Sequence, residues 1–369
     1  MHSVVYDYQT FSLQQYGGIS RYFCEIAPRV HRAHGFKVRI VAPVHFNAYL
    51  SRCDVPQTAL YMRKLWKTGP LFRAANRAFS PWLTQRHKPS LIHRTFFEPL
   101  DWPSSVPVIV TVHDMINELF PGSFPASDHT ARNKRLCVER ADHIVCNSHF
   151  TANDLIRLTG ISCRKVSVTH LGCSGVFAAA APLDEEPPHP RPYLLYVGHR
   201  AGHKNFDAAL AAFAASHRLG AELDFVAFGG LPFSSAERER MAALRLTPDR
   251  VLRWSGSDAE LAHAYRHARA LVYPSTYEGF GIPPLEAMSA GCAVTCSNTS
   301  SIPEVVGEAA LLFDPDDVES MRHAMEAVCL DDGIRAGLIA AGKRRVQQFS
   351  WDKCAADTLA VYKGLLGAG

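Results

Sequence analysis

The chain has 369 residues, of which 47% are hydrophobic and 20% charged, and its formal net charge at pH 7 is +4. These values are typical of globular proteins, and the length is enough for two domains of ordinary size. The small net charge does not favour a nucleic-acid-binding protein, and the chain has no run of about 18 apolar residues that would predict a transmembrane helix.

The first part of the chain alternates short apolar runs with helix-like stretches, which predicts a parallel α/β sheet. The first strand is predicted at residues 3–6, and the loop after it contains Gly17 and Gly18 and opens a helix. A glycine pair here lets a phosphate approach the backbone, although a glycine pair alone is more often only a turn. Further strands are predicted at residues 37–42, 91–93, 106–112, 141–146 and 165–170, and a helix at 128–140.

Among the histidines, His113 is the strongest candidate for a functional residue. Together with Asp114 it directly follows the apolar run 106–112, at the carboxyl end of a predicted strand. Open α/β sheets bind their ligands at this end of their strands. The chain has 18 histidines. On burial grounds alone, any one of them is as readily a structural residue as a functional one. The strand-end position favours a functional role for His113.

The stretch 61–88 combines basic and aromatic residues and contains no acid. Its basic residues are Arg63, Lys64, Lys67, Arg73, Arg77, Arg86 and Lys88, and its large aromatic residues are Tyr61, Trp66, Phe72, Phe79 and Trp82. This composition fits peripheral contact with an anionic membrane surface. A mobile, solvated helical arm fits equally well.

A proline-rich, acidic segment at residues 178–192 predicts a domain boundary. We expect an N-terminal domain at residues 1–180, a second α/β domain at 190–348 and a last helix at 350–369. The second domain begins with a strand at 193–198, and Arg200 and Lys204 follow beside a helix start, where two cations and a helix dipole can meet one diphosphate. Taken singly, each of these two cations is better explained as a solvated surface residue. Further strands are predicted at residues 223–228, 251–254, 270–273, 293–296 and 311–313.

The stretch 273–304 carries the clearest site pattern. A predicted strand ends in a loop with Glu278, Gly279, Phe280 and Gly281, and a helix with Glu286 follows. Backbone amides at such a helix start favour a phosphate, and a helical carboxylate can accept hydrogen bonds from a diol. Two carboxylates alone would more often be a loop acid and a solvated helix residue.

The spacing Glu278-x7-Glu286 within EGFGIPPLEAMSAGCAV resembles the signature of glycosyltransferase family 4. The opening YDYQTFSLQQYGGISRYF is similar to the branch of bacterial mannosyltransferases, and the YVG…KN segment also resembles the family. The resemblance implies the α/β GT-B fold, which has two Rossmann-like domains whose parallel sheets face each other across an interdomain cleft. It also implies that the final helix crosses back to the first domain.

The resemblance also implies roles for the candidate residues. Glu278 would contact the donor sugar, Glu286 the ribose, and the amides of Gly279, Phe280 and Gly281 the sugar and phosphates. Arg200 and Lys204 would clamp the diphosphate, Gly17 and Gly18 would lie against it, and His113, in the family's His-Asp pair, would be catalytic with Glu278.

The implied function is transfer of mannose from GDP-mannose, with retention, to a hydroxyl of a lipid-linked or oligosaccharide acceptor in surface polysaccharide synthesis. UDP-glucose, UDP-GlcNAc and a dTDP- or GDP-deoxysugar stay open as donors. A non-catalytic nucleotide-binding protein is the alternative of another class. We expect no metal cofactor, because the one Asp-x-Asp, at Asp314, lies in a late proline turn.

Ten cysteines without a CxxC pair or metal-ligand spacing favour structural thiols in a reducing compartment. The start MHSVVYDYQTF lacks the basic and apolar regions of a secretory signal. We therefore expect a cytoplasmic location, with peripheral contact at the inner face of the membrane as a further possibility. No nucleic-acid partner is expected.

Overall fold

The computed structural model describes residues 1–63, 69–99, 105–179, 186–200 and 202–367. The chain divides into two compact units. The first consists of Met1–Gly172 together with Trp351–Gly369, and the second is Cys173–Ser350. The C-terminal segment therefore belongs to the same unit as the N-terminus.

The first unit contains a seven-stranded parallel sheet with the order β3-β2-β1-β4-β5-β6-β7. Its strands are β1 (His2–Tyr6), β2 (Phe36–His45), β3 (Gln57–Tyr61), β4 (Leu91–Arg94), β5 (Val108–Val112), β6 (His143–Cys146) and β7 (Val166–Val168). Its first six helices are α1 (Gln9–Leu13), α2 (Gly18–Arg32), α3 (Gly69–Arg86), α4 (Ile116–Leu119), α5 (Thr130–Arg140) and α6 (His149–Thr159). The sequence patterns did not predict β3, because it is an edge strand whose last three residues are exposed and whose residues lack apolar alternation.

The second unit contains a six-stranded parallel sheet with the order β10-β9-β8-β11-β12-β13. Its strands are β8 (Tyr193–Val197), β9 (Asp224–Phe228), β10 (Val251–Trp254), β11 (Ala270–Tyr273), β12 (Val294–Ser297) and β13 (Leu311–Phe313). Its helices are α7 (Gly175–Ala178), α8 (Phe206–Ala214), α9 (His217–Glu222), α10 (Ser235–Ala243), α11 (Asp258–His267), α12 (Ile282–Ser289), α13 (Ile302–Val306), α14 (Val318–Leu330) and α15 (Asp332–Arg345).

The central strands are continuous apolar runs because helices cover both faces of each sheet. Every residue of β5, β8 and β11 is buried. In each sheet the strand order reverses direction at one place, between β1 and β4 in the first unit and between β8 and β11 in the second. Open α/β sheets bind ligands beside such a switch point, at the carboxyl ends of the strands.

The last helix, α16 (Trp351–Leu366), packs against α2 in the first unit. Its Tyr362 is fully buried and forms a polar chain with two central strands. The Tyr362 hydroxyl lies 3.0 Å from the Tyr6 hydroxyl and 2.6 Å from His93 Nδ1. His93 Nε2 lies 2.7 Å from Thr111 Oγ1, so this hydrogen-bonded network extends from α16 to β1, β4 and β5.

Tyr362→Phe should lower the free energy of unfolding of the first unit by about 1–3 kcal/mol, because the Tyr6 hydroxyl and His93 Nδ1 lose a partner in a buried site. Urea unfolding followed by intrinsic fluorescence measures this change. Tyr16→Phe is the matched control, since Tyr16 is 66% exposed. Equal stability of the two variants would show that the hydrogen-bonded network around Tyr362 contributes little to the free energy of unfolding.

No helix of the described segments is both long and apolar enough to span a bilayer.

Candidate functional site

In the second unit, one ion pair connects the two strands at the switch point. Lys204 lies in the loop after β8, and Glu278 lies in the loop after the neighbouring strand β11. Lys204 Nζ and Glu278 Oε1 are 2.6 Å apart. The fold thus joins two residues that are 74 positions apart in the sequence.

Glu278 is a buried and ionised carboxylate. Its burial raises the pKa, but the charge of Lys204 and hydrogen bonds from Lys204, Ser275 and Tyr273 outweigh this effect, so the pKa of Glu278 lies below its usual value. The Lys204 ammonium also lies 5.8 Å from the centre of the Tyr273 ring. The pair therefore presents one fixed negative and one fixed positive charge at the carboxyl end of the sheet.

Serine hydroxyls fix the backbone that carries Glu278. Its N–H donates to Ser300 Oγ at 3.0 Å, and Ser301 Oγ donates to its carbonyl oxygen at 2.8 Å. Both serines belong to the segment between β12 and α13. The orientation of Glu278 is consequently set by two neighbouring loops as well as by Lys204.

The glycine loop ends at the start of α12. Gly281 is the N-cap residue and has a φ of +99°, a left-handed conformation that favours glycine. Prolines occupy the first turn of α12, where the missing N–H costs no helical hydrogen bond. The helix dipole gives this end of α12 the electrostatics of an anion site, and of its first three residues only Ile282 has a backbone N–H. Gly279 precedes the buried Phe280, whose ring packs against Phe349 at 5.8 Å.

Glu286 lies on α12 and is buried, with 5% of its surface exposed. The Tyr265 hydroxyl donates to Glu286 Oε2 at 3.4 Å. The interpretation of Glu286 as a solvated helix residue is therefore wrong. A buried carboxylate that faces a tyrosine is compatible with the predicted ribose contact, which stays a prediction.

Arg200 and Lys204 form ion pairs with two different carboxylates. Its Nε lies 2.6 Å from Glu237 Oε1, and its terminal nitrogens donate to the carbonyl oxygens of Gly229 at 3.2 Å and Leu231 at 2.6 Å. The guanidinium also stacks over the Phe233 ring at 4.7 Å. Convergence of Arg200 and Lys204 on one diphosphate is thus not visible in their contacts, and the Arg200 role stays a prediction.

Arg200 and Glu237 line an open cavity of about 420 Å³ beside β8 and β9. Its other walls come from His199, Asp207, Gly230, Leu231, Pro232, Ser234 and Ala236. Burial raises the pKa of Glu237, but Arg200 and Ser234 outweigh it and hold the pKa below its usual value. The ionised pair forms a rigid wall of this cavity.

In the first unit, His113 directly follows β5. Its side chain is partly buried, and its Nε2 is shielded from solvent and has no hydrogen-bond partner among the residues that the structure describes. The ring contacts Tyr22 edge-on, with 5.2 Å between the ring centres. Burial and the charge of Lys134 lower the pKa of His113 to about 4, although Asp114 opposes this shift. The imidazole is therefore neutral at pH 7.

Lys134, which the sequence analysis missed, holds the loop that follows His113. It is 2% exposed, and its Nζ lies 2.8 Å from both Glu118 Oε2 and the Asp114 carbonyl oxygen. In the sequence, Lys134 resembles any charged helix residue, because its partners lie 16 and 20 positions away. No local pattern identifies it.

A second missed cluster lies at the switch point of the first unit. Asp7 follows β1, and its Oδ1 accepts a hydrogen bond from the Thr95 hydroxyl at 2.6 Å. Gln9 Nε2 donates to Asp7 Oδ2 at 2.6 Å, and Arg94 lies 3.6 Å from the same oxygen. The strand-end position of Asp7 is the same signal that identified His113, and it could have found this residue.

Gly17 and Gly18 lie at the start of α2. Gly17 is the extended N-cap residue, and a Cβ there would lie 2.1 Å from Gln14 Oε1, so the absence of a side chain lets Gln14 fold over the loop. The space beside Gly18 is open. Together with His113 these glycines belong to the first unit, whereas the remaining candidates belong to the second.

Two protein-family models match the chain. The model described as Glycosyltransferase Family 4 matches residues 16–174, and the model described as Glycosyl transferases group 1 matches residues 182–345. The two matches together cover most of each unit and contain all the candidate residues.

Similar proteins include mannosyltransferases. The O-antigen chain mannosyltransferase B of Escherichia coli is 31% identical over 80% of this chain and 80% of its own length. The serotype-specific mannosyltransferase WbdA of Escherichia coli is 30% identical over 59% of this chain and 28% of its own length. A glycosyltransferase from Rickettsia africae has a similar fold, with a TM-score of 0.75 and 16% identity over 100% of this chain and 99% of its own.

Proposed function

Since this chain belongs to glycosyltransferase family 4, we propose that it transfers mannose from GDP-mannose to a hydroxyl of a lipid-linked or oligosaccharide acceptor, with retention of configuration. The observation that carries the proposal is the Lys204–Glu278 pair, which lies at the switch point of the second sheet beside the start of α12. A cation and free helix amides suit the diphosphate of a nucleotide sugar, and a fixed carboxylate suits the sugar hydroxyls.

In the proposed reaction, the bond between the anomeric carbon and the diphosphate oxygen breaks. The acceptor oxygen attaches to that carbon on the same face, and its proton passes to the departing diphosphate oxygen. Lys204 and the amides of α12 stabilise the charge of the leaving group, which is the charge that develops in the transition state. Glu278 orients the sugar and does not become bonded to it.

We propose that His113 acts in catalysis as a neutral hydrogen-bonding group. Its pKa of about 4 leaves the imidazole uncharged at pH 7. A neutral imidazole donates through one ring nitrogen and accepts through the other, so it can hydrogen-bond a sugar hydroxyl or the sugar ring as positive charge develops on that ring. We further propose that no metal ion is needed, because Lys204 and the α12 amides supply the positive charge that a metal would otherwise provide.

The mannosyl donor rests on the relatives whose names identify them as mannosyltransferases. The name of the first relative also supports a place in O-antigen synthesis. Such an acceptor would be carried on a lipid, so the proposed reaction takes place at the cytoplasmic face of a membrane. UDP-glucose, UDP-GlcNAc and deoxysugar nucleotides are the competing donors.

A ligand screen by thermal unfolding tests the donor. GDP-mannose and GDP should raise the midpoint of unfolding, whereas UDP-, dTDP- and ADP-sugars at the same concentration should not, because only a ligand that binds the folded state stabilises it. NMR of the transferred sugar then identifies the anomer, which should be the α-anomer of the donor. The rate should be unchanged by EDTA.

Selective stabilisation by a UDP-sugar would replace the donor in this proposal but keep the transferase. An inverted anomer, or a sugar-protein adduct at Glu278 found by mass spectrometry, would refute the proposed mechanism. The absence of stabilisation by every nucleotide sugar would contradict the proposed function itself.

A further inference from the structure

Helix α3 carries large apolar side chains on the surface that faces away from its own domain. We define its outer face by Leu71, Phe79 and Trp82, which are 69%, 57% and 57% exposed. Their spacing of eight and three residues places them along one side of a helix. The buried positions of α3 are Phe72, Asn76 and Ser80. Two of these three buried side chains are polar, so much of the apolar surface of α3 is turned outward.

The inner face of α3 is firmly attached to the sheet. Asn76 Oδ1 accepts a hydrogen bond from the Val44 N–H, and Asn76 Nδ2 donates to the Val44 carbonyl oxygen, both at 2.9 Å. The Phe72 ring lies 6.3 Å from the ring of Phe46. These contacts fix the rotation of α3 about its axis, so the exposed positions are held away from the sheet by the anchoring of Phe72 and Asn76.

Exposed apolar side chains also occur at the edge of the sheet. Leu60, Tyr61 and Met62, at the end of β3, are 58%, 52% and 43% exposed. Both β3 and α3 contact β2. Among the described residues, six of the thirteen strongly exposed large hydrophobic side chains thus lie between Leu60 and Trp82. Such a concentration marks an interaction surface, whereas single exposed apolar residues do not.

The charge of this region determines which partner fits. The stretch 61–88 contains seven basic residues and no acid. Arg63, Arg73 and Arg86 are exposed, and the Arg86 guanidinium lies 5.6 Å from the centre of the Trp82 ring. Lys64, Trp66 and Lys67, which belong to the predicted membrane-contact stretch, lie outside the residues that the structure describes.

We propose that the outer face of α3 and the exposed end of β3 bind the surface of an anionic phospholipid bilayer. Phe79 and Trp82 would enter the interface between head groups and acyl chains, where amphipathic aromatic rings are favoured. Arg63, Arg73 and Arg86 would lie against the phosphates. A second copy of the chain fits less well, because it would bring a surface of the same positive charge into contact. The inference does not depend on which sugar the enzyme transfers.

Sedimentation with vesicles tests the inference on the full chain without any donor. The protein should sediment with phosphatidylcholine vesicles that contain phosphatidylglycerol and stay in solution with phosphatidylcholine alone. Binding should weaken as salt rises, because ions screen the attraction. Arg73→Gln/Arg86→Gln and, separately, Phe79→Ser/Trp82→Ser should each lower the partition coefficient by about tenfold or more.

Matched controls distinguish this surface from general charge and hydrophobicity. Arg218→Gln/Arg240→Gln removes two exposed charges from the second unit, and Ile334→Ser removes an exposed apolar residue, and neither should change vesicle binding. Thermal unfolding of each variant shows whether it is folded. Equal binding to neutral and anionic vesicles, or equal losses in the controls, would overturn the inference. So would a doubled mass in light scattering that the Phe79→Ser/Trp82→Ser variant abolishes, since this would identify a second copy as the partner.

Discussion

Replacing His113 with alanine is expected to lower the rate of glycosyl transfer by about two to three orders of magnitude, the usual cost of one hydrogen bond to developing charge. The affinity for the donor nucleotide should change little, because His113 is not among the residues proposed to contact the nucleotide. Burial and Lys134 keep the His113 imidazole neutral, with a pKa of about 4. The loss should therefore be similar at all pH values above about 5, where the wild-type side chain carries no charge.

Initial rates across pH and calorimetric titration with GDP separate the two effects. His143→Ala is the matched control, since His143 lies at the start of a neighbouring strand and bonds to Ser167 Oγ at 2.8 Å. That variant should retain most of its activity. If His113→Ala transferred sugar at nearly the wild-type rate, or lost donor binding and turnover together, the proposed role would be wrong.

Lys204→Met is expected to abolish most transfer and to destabilise the second unit by roughly 2–4 kcal/mol, because it leaves Glu278 buried without its cation. Lys204 and Glu278 side chains are 22% and 10% exposed, so solvent compensates only in part. Without Lys204, burial should raise the pKa of Glu278 above its usual value. The stability difference from wild type should therefore be largest near about pH 7 and shrink towards about pH 4, where the carboxyl is protonated in the variant.

A double-mutant cycle with Glu278→Gln measures the coupling. Glu278→Gln alone keeps the hydrogen-bonding shape and should retain some transfer. The double variant should recover part of the stability lost in Lys204→Met but none of the activity, since the leaving group still lacks its cation. Chemical unfolding at both pH values and initial rates are measured for the wild type, the two single variants and the double variant. Additive stability changes would show that Lys204 and Glu278 do not stabilise each other. Wild-type affinity for GDP in Lys204→Met would contradict the proposed contact of Lys204 with the diphosphate.

The two-domain parallel architecture and the glycosyltransferase family were predictable from the sequence. Runs such as VIVTV in β5 and YLLYV in β8 are apolar along their whole length, which is the pattern of strands covered on both faces. The prediction of two Rossmann-like domains is confirmed, and so is the family resemblance. Strand β3 escaped prediction because an edge strand does not need an apolar pattern.

The candidate site was predictable only where position along a strand carries the information. Lys204 and Glu278 both follow strands that prove to be neighbours, so strand order brings them together. The partner of Arg200 could not be foreseen, because Glu237 lies on α10, 37 positions later, and the contact depends on how that helix packs. Lys134 was missed for the same reason. The donor, the acceptor and the roles of the individual residues stay predictions.

The placement of α16 has a consequence for synthesis on the ribosome. The chain elongates from its N-terminus, so all of Met1–Gly172 emerges before Cys173–Ser350, yet the first unit includes Trp351–Gly369. Until those last residues emerge, Tyr6 and His93 lack the Tyr362 hydroxyl that they bind in the finished protein. Domains commonly fold in the order in which they are made. Here the later unit can complete its fold first, and the earlier one must wait until Trp351–Gly369 has been synthesised.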